Sequence, residues 1–485
     1  MSDPTATPPM AAPALPSRLR LLIPLVVAFG FLMEQLDATI ITTAIPDIAQ
    51  SLNATPLSLN LAITSYVLSL AVFIPVSGWI SDRYGTRNVI CAAFALFTIG
   101  SATCGLATSL PMLVAARILQ GLGGAMMNPV GRLILLRAFP REQLVRAMAY
   151  VSIPSLLGPT LGPLLGGVIT TYASWRWIFY VNIPFGLMAI AIAWHSVENP
   201  RGIARAGFDL PGFLICGAGM VLLQFMLETV GRGAVPFWAD LAALAGGAAL
   251  MAVFVRHAHR TANPVLDLSL FHIRSFRVGS LAGGISRIAI NAPPFLLPLL
   301  FQLGFGYSAM QSGSLTFVVS LGAVAIRLVN VWLLRTLGFP RLLIANSFVA
   351  TVSIAGFALF RADTPHWLLI AYIMFYGVVR SIQFNAVQML SYADMPPGRL
   401  SASTSLGGVV QQLTMGLGVS LSAALLGILA GEGATPTATD FRHVFLVIAL
   451  LPLAALPGFF SLQPQDGSAV SGHRPRGATR PAVGD

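Results

Sequence analysis

Two acids sit where acids are expensive. Glu34 and Asp37 fall in RLLIPLVVAFGFLMEQLDATIITTAI, residues 20–45. That run can cross a bilayer core of about 30 Å at about 1.5 Å per helical residue. A charge at such depth costs at least about 2.5–3.5 kcal/mol, so neither carboxylate belongs against lipid. Three residues apart, the two lie on neighbouring positions of one helix. Their chemistry is then either a fixed ion pair or the uptake and release of a proton.

A partner comes from RILQGLGGAMMNPVGR, where Arg117 stands about two turns into a run of opposite direction. Asp37 and Arg117 can therefore meet at one depth, as a static pair or as a charge-sensing switch. Gly121, Gly123 and Gly124 let a neighbouring helix approach closely. In LLGPTLGPLLGG, Gly158, Gly162 and Gly166 recur every four residues and form one smooth face. Pro159 and Pro163 each remove a backbone donor and bend that helix. The string GWISDRYGTRNVI is the most specific locally. Gly78 permits close approach, Asp82 and Arg83 lie at the rim, Gly85 allows a sharp turn, and Arg87 opens the next helix. The string is a topology signal or a latch, in which Asp82 caps a helix end or pairs across to another part of the chain.

The elements that must position these residues are membrane helices. Of 485 residues, 56% are hydrophobic and 9% charged, against about 25% charged in soluble domains. Apolar runs of about 20 residues recur from end to end, which selects a polytopic helical bundle over a barrel. Fourteen spans are expected, near 20–45, 57–80, 88–107, 111–136, 146–171, 176–196, 208–228, 237–255, 276–302, 311–334, 341–360, 366–390, 401–430 and 441–462. The net charge of +11 resides wholly in Arg. Nineteen Arg fall on one side of the spans and four on the other, so the charge orients the chain and does not bind nucleic acid. Both termini are expected in the cytoplasm. Residues 1–19 and 463–485 read as disordered cytoplasmic ends.

A weak internal echo relates DRYGTRNVI to RTLGFPRLL, and PREQLVRAMAYVS to PPGRLSASTSLGG. It divides the chain into a six-helix bundle at 20–196, a two-helix insertion with linkers at 197–275, and a second six-helix bundle at 276–462. The segment ANPVLDLSLFHIRSF reads as interfacial. Cys91, Cys104 and Cys216 read as small hydrophobes, and the RHAH histidines as a solvated basic loop. No metal-binding spacing and no phosphate-cradling loop is present in the sequence, so neither a metal, a cofactor nor ATP is expected.

These strings resemble the major facilitator superfamily, in particular its fourteen-span drug:proton antiporters, over residues 15–460. LDATIITTAIPDIA is similar to the first-span signature through Asp37, Thr39 and Pro46. GWISDRYGTRNVI is similar to the loop signature, RILQGLGGA to the fourth-span signature through Arg117, Gln120 and Gly121, and GPTLGPLLGG to the antiporter signature through Gly158, Pro159, Gly162, Pro163, Gly166 and Gly167. SWRWIFYVNIPFG, with Asn182 and Pro184, is typical of the fourteen-span branch. The resemblance implies proton-driven export by alternating access across a bacterial inner membrane, with no enzymatic activity. Asp37 and Arg117 would couple transport to protons, Glu34 would assist, and Gly78, Asp82, Arg83, Gly85 and Arg87 would gate. The partners it implies are the bilayer, protons and a small amphiphile, with the chain acting as a monomer.

The sequence departs from the family in the second half. The echoed loop lacks its acid, and the later spans carry Arg287, Arg327 and Arg380 with amides and no acid at depth. Gln120, Asn128, Arg287, Asn291, Gln383, Asn385 and Gln411 are the candidate cavity residues. If the Arg face the cavity, neutral or anionic amphiphiles suit it better than dications; otherwise Arg327 and Arg380 reach to the interface. Nutrient symport and a non-transporting sensor are the competing functions.

Overall fold

The structure is a computed structural model, and it describes residues 22–139, 141–199, 207–230, 235–396, 399–431 and 434–471, apart from the side chains of 141–156, 327, 328, 331, 401 and 469. It is all helical, with no strand among the described residues. In chain order the principal helices are α1 (Leu22–Ile40), α2 (Asn60–Phe73), α3 (Thr86–Gly105), α4 (Leu110–Ala138), α5 (Arg141–Tyr172), α6 (Asn182–Ser196), α7 (Leu210–Thr229), α8 (Phe237–Ala258), α9 (Arg274–Asn291), α10 (Ala309–Ala325), α11 (Arg327–Ala355), α12 (His366–Ala393), α13 (Leu400–Ala430) and α14 (Ala438–Ile448).

Twelve stretches are long and apolar enough to cross a membrane among the described residues. Helix α5 is not one of them, and α10 is apolar but has 17 residues. The expected fourteen is therefore not reached on that count.

Local sequence sets the helix starts. Ser109 accepts from the Met112 amide and begins α4, and Ser308 with Gln311 forms a capping box on α10. The helix Ser77–Tyr84 that continues α2 stops at Gly85, whose φ of +87° is open to glycine and strained for other residues. The echoed loop does the same, because Gly338 has φ +70° and breaks α11 ahead of Pro340. The acid was lost from the second loop, but the turn geometry persists in both.

Small residues set the closest crossings. A Cβ on Gly158, Gly162 or Gly166 would lie 2.0–2.7 Å from α1 or its continuation, at Gln35, Thr39 and Ile40. Gly167 faces α10 instead, where a Cβ would be 2.5 Å from the Ala309 carbonyl oxygen. The Pro159 carbonyl accepts from Ser320 at 3.0 Å. The two prolines leave α5 helical through to Tyr172.

The apolar cores show how the halves meet. One core joins residues of both halves, including Ile40, Ile45, Trp175, Phe295, Phe301 and Phe445. Toward the opposite end, which carries Arg83, Arg87 and Arg341, the first half has its own core around Phe94 and Met127, and the second its own around Phe339 and Leu390. The two halves share one core at the Trp175 end; toward the Arg-rich end each half has a core of its own, and a further cluster sets Leu68, Val72 and Ile74 of the first half near Leu406 and Val409 of α13. Helices α7 and α8 pair with each other, and α7 also touches α2 and α13.

Three expectations about termini and loops are corrected. Residues 463–471 are ordered, not a disordered tail: the Gly467 amide donates to both Asp394 carboxylate oxygens at 3.2 Å, and Asp466 pairs with Arg274 at 3.7 Å. His257 is no free loop histidine, since its Nε2 bonds Asp209 at 2.7 Å. The interfacial reading of 262–276 meets a short 3₁₀ turn, Leu268–His272, started by Asp267. The N-terminal 1–19 and the tail beyond 471 lie outside the described residues.

Candidate functional site

Asp37 lies on α1 and Arg117 on α4, and both side chains are 0% exposed. Arg117 Nη1 donates to Asp37 Oδ2. Gln120, one helical turn beyond Arg117, joins them: its Nε2 donates to Asp37 Oδ1 at 2.7 Å, and its Oε1 accepts from Arg117 at 2.8 Å. Asn182, at the start of α6, donates to Asp37 Oδ1 at 3.3 Å and to Ser101 Oγ at 3.1 Å. Arg117 Nε donates to the Ala62 carbonyl at 2.9 Å. Its guanidinium lies 4.3 Å from the centre of the Tyr66 ring.

The sequence placed Asp37 and Arg117 together. It did not place Asn182, Tyr66 or the Ala62 carbonyl, which come from helices remote in the chain. Gln120 was assigned to a substrate cavity, and the structure corrects that: fully buried, it completes the ion pair. Such a cluster exists because a buried charge needs both a countercharge and hydrogen bonds. Gly121, Gly123 and Gly124 bring α4 against α2 and α3, which holds Arg117 at this depth.

Glu34 stands one turn before Asp37 and is 7% exposed. Its Oε2 accepts from Asn128, which was expected in the substrate cavity and is instead this acid's partner. Arg132, one turn further along α4, is in electrostatic reach of Glu34.

The second-half candidates divide. Arg287 donates to Gln388 at 2.9 Å. Arg380 donates to the Ile290 carbonyl at 3.1 Å and to Asn291 at 3.2 Å, so it turns inward and does not reach for the interface. Asn385 is half-buried against Ser381, and Gln411 is half-buried on α13. Gln383 is corrected: it is 0% exposed and bonds Asn346, Ser286 and Ser347, inside the second half. The Arg327 side chain lies outside the described residues.

The loop residues form a rim within the first half. Asp82 pairs with Arg137 at 3.0 Å and not across to the second half. A Cβ on Gly78 would meet nothing within 4 Å, so the close approach read from sequence is not made here. Arg83 is exposed, and Arg87 lies 5.1 Å from the Trp194 ring centre.

A buried acid–arginine cluster inside a two-half helical bundle is the anatomy of a membrane transporter, not of an enzyme. The model of the Major Facilitator Superfamily matches residues 27–419. The chain is 36% identical over 445 residues to "Putative multidrug resistance protein MdtD" of Salmonella paratyphi A, covering 91% of this chain and 94% of that one, and equally so to the Salmonella typhimurium protein. Among solved structures it is similar to a D-xylose–proton symporter (TM-score 0.66, 15% identity, 92% of this chain and 99% of that one). It is also similar to a bacterial homologue of the lysosomal transporter Spinster (TM-score 0.63, 16% identity, 92% and 97%). The chain belongs to the Major Facilitator Superfamily.

Proposed function

We propose that this protein exports drug-like or metabolite amphiphiles in exchange for protons across a bacterial inner membrane. The observation that supports this best is the Asp37–Arg117–Gln120–Asn182 cluster, a buried acid on α1 tied to α4 and α6. Protonating Asp37 removes the charge that Arg117 pairs with. The helices α1, α4 and α6 then lose a common tie, and the joined core at the Trp175 end can part. Glu34, held by Asn128 one turn away, passes or shares the proton. In this reading the Arg-rich end and both termini are cytoplasmic, from the Arg bias, with fourteen spans and the proton gradient as the energy source. The names of the similar multidrug resistance proteins favour export; the shared fold of a proton symporter keeps uptake as the alternative.

The test is flux in reconstituted liposomes under an imposed pH gradient, with wild type and Asp37→Asn side by side. Wild type should move substrate against its gradient as protons move the other way. The variant should reach the membrane and exchange substrate without responding to pH. Full proton-driven transport by Asp37→Asn would refute the assignment, and co-directional flux would favour symport.

A further inference from the structure

Arg132, Arg287 and Arg380 have no ion pair among the described residues. Arg287 is the most enclosed, at 3% exposed. Its Nη2 has the Gln388 amide oxygen, its Nε has no hydrogen-bond partner, and the Phe384 ring centre lies 5.6 Å from the guanidinium carbon. One amide and one ring do not supply the countercharge that a buried cation needs. Arg132 comes from the other half, is exposed and lies 5.6 Å from the Phe31 ring centre. Arg132 and Arg287, from opposite halves, both lie within electrostatic range of Tyr392. The nearby acids are already engaged, Glu34 by Asn128 and Asp37 by Arg117.

We propose that Arg287, together with Arg132, holds the anionic group of the transported amphiphile: a carboxylate, sulfonate or phosphate whose apolar body lies along Phe31 and Phe384. The proposal rests on reading the seam between the two halves at this depth as the substrate path. A guanidinium fork matches a planar or tetrahedral oxyanion with two parallel donors, and the ring faces accept the apolar part. Because the two arginines belong to different halves, the anion draws the halves together at the Arg-rich end. An organic cation meets repulsion at the same place.

The experiment is equilibrium fluorescence binding to the purified full chain in a maltoside micelle. The probes are 1-anilinonaphthalene-8-sulfonate and its uncharged parent, N-phenyl-1-naphthylamine, which share one ring system. Comparing wild type with variants removes probe dissolved in detergent. Wild type should bind the sulfonate about tenfold tighter than the parent. Arg287→Met should lose about tenfold for the sulfonate and leave the parent within about twofold. Arg287→Lys should restore part of the sulfonate binding. Equal sulfonate affinity in wild type and Arg287→Met overturns the proposal, as does a matching loss for both probes. So does tighter binding of ethidium, a cation, than of the sulfonate. If Arg287→Met is not monodisperse, the exposed Arg132→Gln decides: a several-fold selective loss supports the proposal, and unchanged affinity overturns it. Binding needs no gradient. Selective anion binding without proton-driven flux would keep this inference and remove the exchange mechanism; flux with cation preference would do the reverse.

Discussion

Arg117 carries the sharpest consequence of any single side chain. Removing one member of a buried pair leaves the other charge desolvated and unpaired, which typically costs about 3–5 kcal/mol. Arg117→Met should lower the unfolding temperature markedly in detergent, because Asp37 is 0% exposed. The double variant Asp37→Leu with Arg117→Met should recover much of that loss, since apolar replacement of a whole pair is often neutral. If the double variant is as unstable as the single one, the pair is not the cause. Asp37 and Arg117 were legible in the sequence because opposed helices of known rise fix their depth. Asn182 and Tyr66 were not, because depth alone does not say which faces of other helices turn inward. Asn128 and Gln383 mark the limit of reading amides. An amide in an apolar helix signals a polar partner, and here that partner is another protein side chain.

At the scale of helices, the glycines predict opposite signs. A Cβ on Gly166 would lie 2.3 Å from the Ile40 carbonyl oxygen, which α1 cannot yield without moving. Gly166→Ala should destabilise by about 1–3 kcal/mol, as overpacking does. Gly78 sits in open space within the helix Ser77–Tyr84. Gly78→Ala should stabilise this conformation by about 0.5–1 kcal/mol through helix propensity, and slow transport if the halves must close on that residue. Thermal unfolding and flux, measured on both variants, check the pair of signs. The clasp at the start of α7 adds a pH dependence. Burial opposes charge on Asp209, but the hydrogen bond from His257, then those from the Gly212 and Val265 amides, outweigh it and hold its carboxyl below the usual range. A depressed folded value stabilises above the ordinary carboxylate range and is lost as pH falls through the folded one. Amide exchange at Gly212 and Val265 should therefore accelerate only in the acid range below about pH 4, and Asp209→Asn should abolish that acid step. The cysteine-free loop sequence showed only a basic stretch here, since an N-cap and a histidine 48 residues apart have no local signature.

For the whole molecule, the shared core at the Trp175 end defines which contacts must break if the proposed exchange is right. Helices α5 and α10 meet there, where the Met310 amide donates to Thr171 at 3.1 Å. Thr171→Cys with Met310→Cys should crosslink under mild oxidation and stop flux, with recovery on reduction. Continued flux in the crosslinked protein would place the moving seam elsewhere. The three native cysteines are buried and free, so they compete little. Helical class and two-half organisation were legible because lipid leaves the backbone few options. The contacts between the halves were not, because hydropathy does not say which faces of the two halves meet.

The ordered segment beyond Leu462 bears on how the protein is handled. Gly467, at φ +70°, closes a turn against Phe339 and Asp394, and Asp466 reaches Arg274. A trimming site chosen at the end of the apolar sequence would delete this strap and bare a carboxylate beside the α12 terminus. Purification tags and shortened versions therefore belong after Ser471.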